Sequence, residues 1–363
     1  RPAPAPAPDE RTSMTPTLQR RLTLPGALAI GVGSMVGAGV FGVWGPAVAS
    51  AGNWLLPALA VAALVAWFYA IAHLPLATAM TLNYMSGVWV AAFLIGSEMR
   101  GLTSIRSGAS TYPAVAALQS LAAAVRSILG PGVKISYAAD WSEYFGHQPG
   151  DGSGDVYFHL DPLWSDANID FIGIDNYMPL SDWRDGDDHL DASWGRIDNI
   201  DYLRANVAGG EGYDWFYASD ADRLTQNRTP ITDGAYDEAW VWRYKDLTGW
   251  WQNLHYNRPG GVRQREATAW VPGSKPIWFT EFGCAALDKA TNQPNKFLDA
   301  MSSESMLPHF SNGTRNDAIQ AAYVEATMAH WCDPANNPVN ADGMRMLDVH
   351  RKLLICHHFI PIW

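Results

Sequence analysis

Charged residues are missing from a long part of this 363-residue chain, because no Asp, Glu, Lys or Arg occurs within residues 22–97. All 25 basic and 36 acidic residues lie outside that stretch, and together they give a net charge of −11. Nucleic-acid binding depends on clustered Lys and Arg that contact phosphates. The composition therefore argues against a nucleic-acid partner, and it divides the chain into two unlike parts.

Cysteine is also scarce. The three cysteines, Cys284, Cys332 and Cys356, form no C-x-x-C pair, so the sequence indicates neither a disulfide framework nor a zinc site. Cys356, His357 and His358 are metal-ligand residue types, but neighbours in a strand point to opposite faces and no second cluster completes a tetrahedral site. We expect free structural thiols, no metal and no cofactor.

The charge-free stretch contains two segments of membrane-like composition. Residues 54–72 are uncharged and mainly apolar, and their length approaches the roughly 20 residues that span a bilayer. Residues 24–50 are rich in glycine, which permits close helix packing or a break in a helix. We predict a Pro/Ala-rich linker at 1–21 and a hydrophobic helical hairpin at 22–82, with a membrane as an alternative partner through residues 24–72.

A run of small residues, GSMVGAGVF at 33–41, resembles the broken first helix of amino-acid/polyamine/organocation permeases. The resemblance covers residues 22–79. It implies that residues 34–39 face an amino acid in a complete transporter, but a single hairpin lacks the paired repeats that build such a site. A membrane transporter fragment is therefore one functional alternative, and an orphaned hairpin is the other interpretation.

Short apolar runs alternate with amphipathic stretches after residue 97, which is the pattern of βα units. Pro113 and the Gly-Pro-Gly at 130–132 are start and stop signals for a helix. Brief runs of β-branched and aromatic residues are typical of buried parallel strands. The sequence thus predicts an α/β fold with a helix at 112–129 and strands at 88–96, 133–138, 169–174 and 276–280.

Polar side chains stand where each predicted strand ends, at Glu98, Asp140, Asp175 and Glu281. In a parallel barrel this end of the strands carries the active site. Glycoside hydrolysis uses two carboxyl groups, of which one protonates the leaving oxygen and the other attacks or activates water. Glu98 and Glu281 suit that pair, although ordinary exposed glutamates at strand ends show the same spacing.

The segment at about 181–271 is a Trp-rich insertion, too long for a normal βα connection. Indole faces supply flat apolar area with a polar handle and can stack on sugar rings. We expect two or three of its tryptophans to line a carbohydrate cleft, and the others to form the insertion's own core. The tryptophans are Trp183, Trp194, Trp215, Trp240, Trp242, Trp250, Trp251 and Trp270.

Four motifs together resemble the TIM-barrel-like glycoside-hydrolase domain of gene transfer agent tail proteins. They are IGSEMRGLT at 95–103, YAADWSEY at 137–144, DFIGIDNY at 170–177 and WFTEFG at 278–283. The resemblance covers about residues 91–344 and implies a (β/α)8 architecture within residues 83–350. It also implies a place at the tip of a phage-like tail, other tail or baseplate proteins as partners, and retaining hydrolysis of a cell-surface polysaccharide or peptidoglycan-type glycan.

Carried over by position, the resemblance implies that Glu98 is the general acid/base and Glu281 the nucleophile. Tyr177 would hydrogen-bond Glu281, and Arg100 would influence the electrostatics of Glu98. The mechanism requires Glu98 to be protonated and Glu281 ionised near neutral pH. The residues for which substrate binding is expected are Arg100, Asp140, Trp141, Asp175, Asn176, Tyr177 and Trp183.

The chain departs from the family pattern at both ends. Strands one to three are missing upstream of Glu98, and residues 351–363 form an atypical tail. We therefore expect an incomplete (β/α)8 TIM-barrel-like domain with exposed sheet edges, and a poor enzyme in isolation. A non-catalytic glycan-binding or host-attachment module is the main alternative. The resemblance places the protein in a tail particle, whereas a genuine hairpin at 22–82 would associate it with a membrane.

Overall fold

A computed structural model of the chain describes residues 92–299 and 305–349. The linker predicted at 1–21, the hairpin predicted at 22–82 and the tail at 351–363 lie outside the described residues. None of the helices in the described ranges has the length and apolar character needed to cross a membrane.

Parallel strands form the framework of the described region. The strands are β1 (Ala92–Ser97), β2 (Lys134–Asp140), β3 (Ile172–Asn176), β4 (Trp215–Phe216), β5 (Thr229–Pro230) and β6 (Ile277–Phe282). β1, β2, β3 and β6 make a four-stranded parallel sheet in that order, while β4 and β5 form a short antiparallel pair. Their shared direction places the carboxyl ends of the four long strands at one edge of the sheet.

Helices connect the strands. They are α1 (Arg100–Thr103), α2 (Pro113–Leu129), α3 (Asp161–Trp164), α4 (Ile200–Ala205), α5 (Asp220–Thr225), α6 (Leu247–Gln252) and α7 (Asp317–Cys332). Short 3-10 turns occupy Ala192–Trp194, Ala239–Trp242, Pro259–Gly261 and Ala290–Asn292. Helix α2 buries Val115, Leu118 and Ala122 on one face and ends at Gly130, whose φ of 72° suits glycine.

The predicted fold class is observed: an α/β region with a parallel sheet that does not close into a barrel within the described ranges. Residues 88–91 of the first predicted strand lie outside those ranges. Strands β2, β3 and β6 each continue past their predicted ends and include Asp140, Asn176 and Glu281. Backbone pairing continues after the apolar run stops, so polarity alone places a strand end too early.

The sheet also continues beyond β6. Ile277 forms a parallel bridge with Leu347. The Ile277 N–H donates to the Met346 carbonyl over 2.6 Å, and the Asp348 N–H donates to the Ile277 carbonyl over 3.1 Å. The segment at Leu347 therefore stands where a further parallel strand would begin.

The buried tryptophans of the Trp-rich insertion belong to the same hydrophobic core as the strands of the sheet, so the separate core expected for the insertion is not observed. Trp240, Trp250, Trp251 and Trp270 are buried, and the His255 ring stacks on Trp270 with a centroid distance of 5.5 Å. The other four tryptophans keep exposed surface. Half of the insertion's tryptophans thus serve packing, and the expectation that two or three line a carbohydrate cleft stays a prediction.

Of the two described cysteines, Cys284 is buried, whereas Cys332 is exposed and is a free thiol. Cys356, with His357 and His358, lies outside the described residues.

Candidate active site

Three carboxyl groups meet at the carboxyl edge of the sheet. Glu98 follows β1, Asp175 lies in β3 and Glu281 lies in β6, and one oxygen of each lies within 4.8 Å of the others. Retaining glycosidases hold their two carboxyl groups about 5–5.5 Å apart, whereas inverting enzymes separate them by about 6.5–9.5 Å. The spacing of Glu98 and Glu281 thus suits a retaining pair.

Two irregularities in the sheet precede these glutamates. The pairing of β1 with β2 shifts between Leu94 and Ser97, and the pairing of β3 with β6 shifts at Ile174 and Asp175. A β-bulge bends a strand and redirects its side chains, and bulges are frequent beside active sites. Each of the two glutamates thus stands at the end of an irregular stretch of strand pairing.

Glu98 itself has an unusual backbone. Its φ of 50° lies in the left-handed region, which few residues other than glycine adopt. The Glu98 N–H donates to the Ala138 carbonyl over 2.9 Å, which holds this conformation against β2. Strained backbone that neighbouring structure holds in place is a feature of functional sites.

A buried network supports the turn that carries Glu98. The Met99 N–H donates to the Tyr137 hydroxyl over 2.8 Å, and that hydroxyl donates to the Glu143 carboxylate over 3.0 Å. The Thr103 hydroxyl also donates to Glu143. Burial raises the pKa of Glu143 from its ordinary value. Sequence reasoning missed Glu143 because its role depends on contacts with α1 and with the turn before it.

Tyr177 makes the hydrogen bond that the family resemblance implies. Its hydroxyl donates to Glu281 Oε2 over 2.6 Å. Hydrogen bonds between a hydroxyl and a carboxylate are short and strong. The contact orients Glu281, which is partly buried, whereas Glu98 is exposed to solvent.

Asp175 is completely buried between these two glutamates. Its Oδ1 accepts a hydrogen bond from the Thr280 hydroxyl over 2.6 Å, and its Oδ2 accepts one from the Ser97 hydroxyl over 3.0 Å. Burial raises the pKa of Asp175 well above its ordinary value, and the negative charges of Glu281 and Glu98 raise it further. The side chain of Asp175 therefore contacts protein and has no surface open to a ligand.

Other predicted site residues occupy the neighbouring loops. Asn176 is buried, and its Oδ1 accepts the Met178 N–H over 3.1 Å, which closes a turn after β3. Arg100 donates to the Ser142 hydroxyl over 2.9 Å, and the Ser142 N–H donates to Asp140 Oδ1 over 2.7 Å. Arg100 and Asp140 are thus linked through Ser142 across the ends of β1 and β2.

Two predicted tryptophans are partly buried in loop contacts. Trp141 packs edge-on against Tyr244 at a centroid distance of 4.8 Å. The Trp183 ring contacts His189 at 4.4 Å, and the Trp183 backbone N–H donates to Asn292 Oδ1 over 2.9 Å. No sequence signal pointed to Tyr244, His189 or Asn292, because distant loops bring them to these positions. Whether the predicted residues bind substrate stays a prediction.

Glu98, Asp175 and Glu281 are also the group in the described ranges that could ligate a metal ion. Carboxylate oxygens are ligands for Mg²⁺ and Ca²⁺, which take six or more oxygen ligands. An acidic cluster alone does not distinguish a cation site from an acid–base pair. In the structure, hydroxyl groups already donate to the carboxyl groups of Asp175 and Glu281.

Comparison with known proteins identifies most of the chain. Residues 72–361 match the GTA TIM-barrel-like domain, where GTA denotes gene transfer agent. The match extends beyond residues 91–344 at both ends and includes most of the segment predicted as an atypical tail.

A shorter similarity concerns transporters. The chain is 53% identical over 60 residues to uncharacterized transporters of Mycobacterium bovis and of two strains of Mycobacterium tuberculosis. The shared segment is 16% of this chain and spans 14% of the length of each transporter. It gives weak support to the permease resemblance of residues 22–79, which lie outside the described residues.

Proposed function

The chain belongs to the GTA TIM-barrel-like domain family, and on that premise we propose that it is a glycan-directed hydrolase module of a phage-like tail. The observation that carries this proposal is the approach of Glu98 and Glu281 to within 4.8 Å at the carboxyl edge of the sheet. We assign Glu98 as the general acid/base and Glu281 as the nucleophile of a retaining reaction.

The reaction has two steps. In the first, the Glu281 carboxylate attacks the anomeric carbon while Glu98 donates its proton to the glycosidic oxygen, whose bond to that carbon breaks. In the second, Glu98 takes a proton from water, and the water oxygen attacks the anomeric carbon and displaces Glu281. The Tyr177 hydroxyl, which donates to Glu281 Oε2, would hold this carboxyl group in place in both steps.

The proposed substrate is a cell-surface polysaccharide or peptidoglycan-type glycan. Support comes from family membership and from aromatic surface beside the carboxyl edge, where Trp141 follows Asp140 at the end of β2. On the same basis, we propose other tail or baseplate proteins as partners and the tail particle as the location of the protein.

Substrates that differ in their leaving group distinguish the acid/base role of Glu98 from the nucleophile role of Glu281. The full chain is assayed on purified peptidoglycan and on paired 4-methylumbelliferyl and 2,4-dinitrophenyl glycosides. Glu281→Gln should abolish turnover of every substrate. Glu98→Gln should abolish turnover of the glycan and lower kcat/KM for the methylumbelliferyl glycosides, yet spare kcat/KM for the dinitrophenyl glycosides, whose leaving group needs no proton in the first step. Its kcat on the dinitrophenyl glycosides should still fall, because the second step needs Glu98 as a base.

The matched control is Glu266→Gln, which alters an exposed glutamate of the insertion and should leave all rates unchanged. Product NMR should show retention of the anomeric configuration. If both site variants turn substrates over at the wild-type rate, the catalytic assignment is wrong.

One observation favours a second candidate function, a non-catalytic glycan-binding or host-attachment module. The sheet does not close within the described ranges, whereas TIM-barrel enzymes build their sites on closed barrels. Co-sedimentation with purified peptidoglycan tests this function. Binding without turnover, at equal affinity in wild type, Glu98→Gln and Glu281→Gln, would favour the binding module over the hydrolase.

A further inference from the structure

A hydroxyl residue stands directly before each of the two proposed catalytic glutamates. Ser97 precedes Glu98 at the end of β1, and Thr280 precedes Glu281 in β6. Both hydroxyls donate to the same carboxyl group, that of Asp175, one to each oxygen. Asp175 is therefore hydrogen-bonded to the immediate neighbours of both glutamates.

We propose that Ser97, Asp175 and Thr280 form a bridge that sets the separation of the Glu98 and Glu281 carboxyl groups, with Asp175 as a positioning residue. The bridge connects β1 with β6, which are the first and last strands in the order of the sheet and do not pair with each other. The catalytic consequence rests on the function proposed above, whereas the structural claim does not.

The register of the sheet explains why a side-chain bridge is needed. Ile174 pairs with Phe279 and Asp175 pairs with Glu281, so Thr280 is the extra residue at the irregularity. A similar shift precedes Ser97 in β1. Because regular pairing is interrupted at both positions, the ladder determines the direction of the following glutamate less strictly there. The hydroxyl bonds to Asp175 supply that constraint.

Burial argues for a bridge and against direct substrate contact. Asp175 is 0% exposed, and each of its oxygens accepts a hydroxyl hydrogen bond. Burial and the two glutamates raise the pKa of Asp175, which favours its neutral form. In that form the carboxyl group keeps its hydroxyl contacts without placing a third negative charge beside Glu98 and Glu281.

Crystal structures of full-chain variants test the bridge directly. Ser97→Ala and Thr280→Val remove one hydroxyl each, while Ser97→Thr and Thr280→Ser retain it. We expect the separation between the Glu98 and Glu281 carboxyl groups to exceed the about 5.5 Å of retaining enzymes in the first pair only. Ser136→Ala is the matched control, because Ser136 is buried on β2 and donates to the Phe171 carbonyl away from the glutamates.

Kinetics on the two glycoside types give a readout that a general structural role would not produce. Ser97→Ala misplaces Glu98, so it should lower kcat/KM about tenfold to hundredfold for the methylumbelliferyl glycosides and spare kcat/KM for the dinitrophenyl glycosides, whose first step needs no proton. Thr280→Val misplaces the nucleophile and should slow both types in kcat. Equal losses on both glycosides in both variants would overturn the bridge.

The two proposals fail in different ways. An unchanged carboxyl separation in Ser97→Ala and Thr280→Val overturns the bridge, whatever the activity. A widened separation in a protein whose wild type turns over no glycoside supports the bridge and counts against the hydrolase. Ser97 is exposed, so Ser97→Ala is expected to fold and carries the test alone if Thr280→Val does not.

Discussion

The end of the sheet and the start of the Trp-rich insertion each contain a buried aspartate, and their surroundings differ in charge. Asp175, in the sheet, accepts hydrogen bonds from two hydroxyls and lies beside two carboxylates. Asp182, in the insertion, pairs with Arg184 at 2.7 Å and with Arg228 at 2.9 Å. The same residue type is thus buried beside negative charge in one region and beside positive charge in the other.

The two pKa values move in opposite directions as a result. For Asp182, burial alone would raise the pKa, but hydrogen bonds from Tyr217, Gln226 and Arg228 outweigh it and lower the pKa. For Asp175, burial and the neighbouring glutamates raise the pKa against the hydroxyl bonds. Clustered like charges cost stability and are typical of functional sites. The insertion neutralises its buried charge, as a structural region does.

The largest effect on stability is expected from removing the Asp182 carboxylate, whose charge two arginines of the insertion compensate. Asp182→Asn removes the carboxylate that pairs with Arg184 and Arg228, although Arg228 keeps a second carboxylate partner in Asp191 at 2.8 Å. Loss of one partner of a buried ion pair costs about 3–5 kcal/mol. We expect the free energy of unfolding to fall by that amount in a denaturant titration. Asp187→Asn, an exposed aspartate of the same insertion, should change it by less than about 0.5 kcal/mol. Equal losses of stability in Asp182→Asn and Asp187→Asn would show that the insertion does not depend on the buried charge of Asp182.

The second prediction concerns the support of Glu281. Tyr177→Phe deletes one hydrogen bond to a charged group, which is worth about 1.5–3 kcal/mol. We expect kcat/KM to fall about tenfold to hundredfold on both glycoside types. Tyr236→Phe, at an exposed tyrosine of the insertion, should leave the rate unchanged. A wild-type rate in Tyr177→Phe would show that Glu281 does not depend on this contact.

The third prediction uses the raised pKa of Asp175. The folded protein binds this proton more tightly than the unfolded chain, so wild-type stability falls as pH rises from about 3.9 toward the raised pKa. Asp175→Asn has no carboxyl group to titrate at this position, so its stability should not show that fall with pH. We expect the stability of Asp175→Asn relative to wild type to be higher at pH 7 than at pH 3.5. Thermal unfolding at the two pH values measures this, and an equal difference at both would contradict it.

The smallest expected effect concerns Lys245, a buried lysine of the insertion. Lys245 donates to the carbonyls of Asn206 and Gly209, and burial lowers its pKa to about 7. The unfolded chain binds this proton more tightly, so the contribution of Lys245 to stability rises with pH above 7. Between pH 7 and pH 8, wild type should gain about 1 kcal/mol relative to Lys245→Met. Parallel stability curves for the two proteins would refute the assignment.

Much of the site follows from the order of residues along the chain. The apolar runs predicted the parallel strands β2, β3 and β6, and polar residues at the strand ends predicted that Glu98 and Glu281 would lie at one edge of the sheet, while the contact of Tyr177 with Glu281 came from the family resemblance. Parallel strands share one carboxyl edge, so local patterns suffice for that inference. The sequence did not indicate the burial of Asp175 or the support from Glu143, because both depend on side chains from separate elements.

The sequence by itself determined the fold class, the acidic and Trp-rich character of the second part, and the strand ends that carry carboxyl groups. Only the tertiary structure decided which carboxyl groups lie together and how each is held. Strand periodicity is local, whereas bulges, burial and hydrogen bonds between β1, β3 and β6 arise when the sheet assembles. Asp175 shows the difference: the sequence placed it at a strand end, and the fold enclosed it between two glutamates.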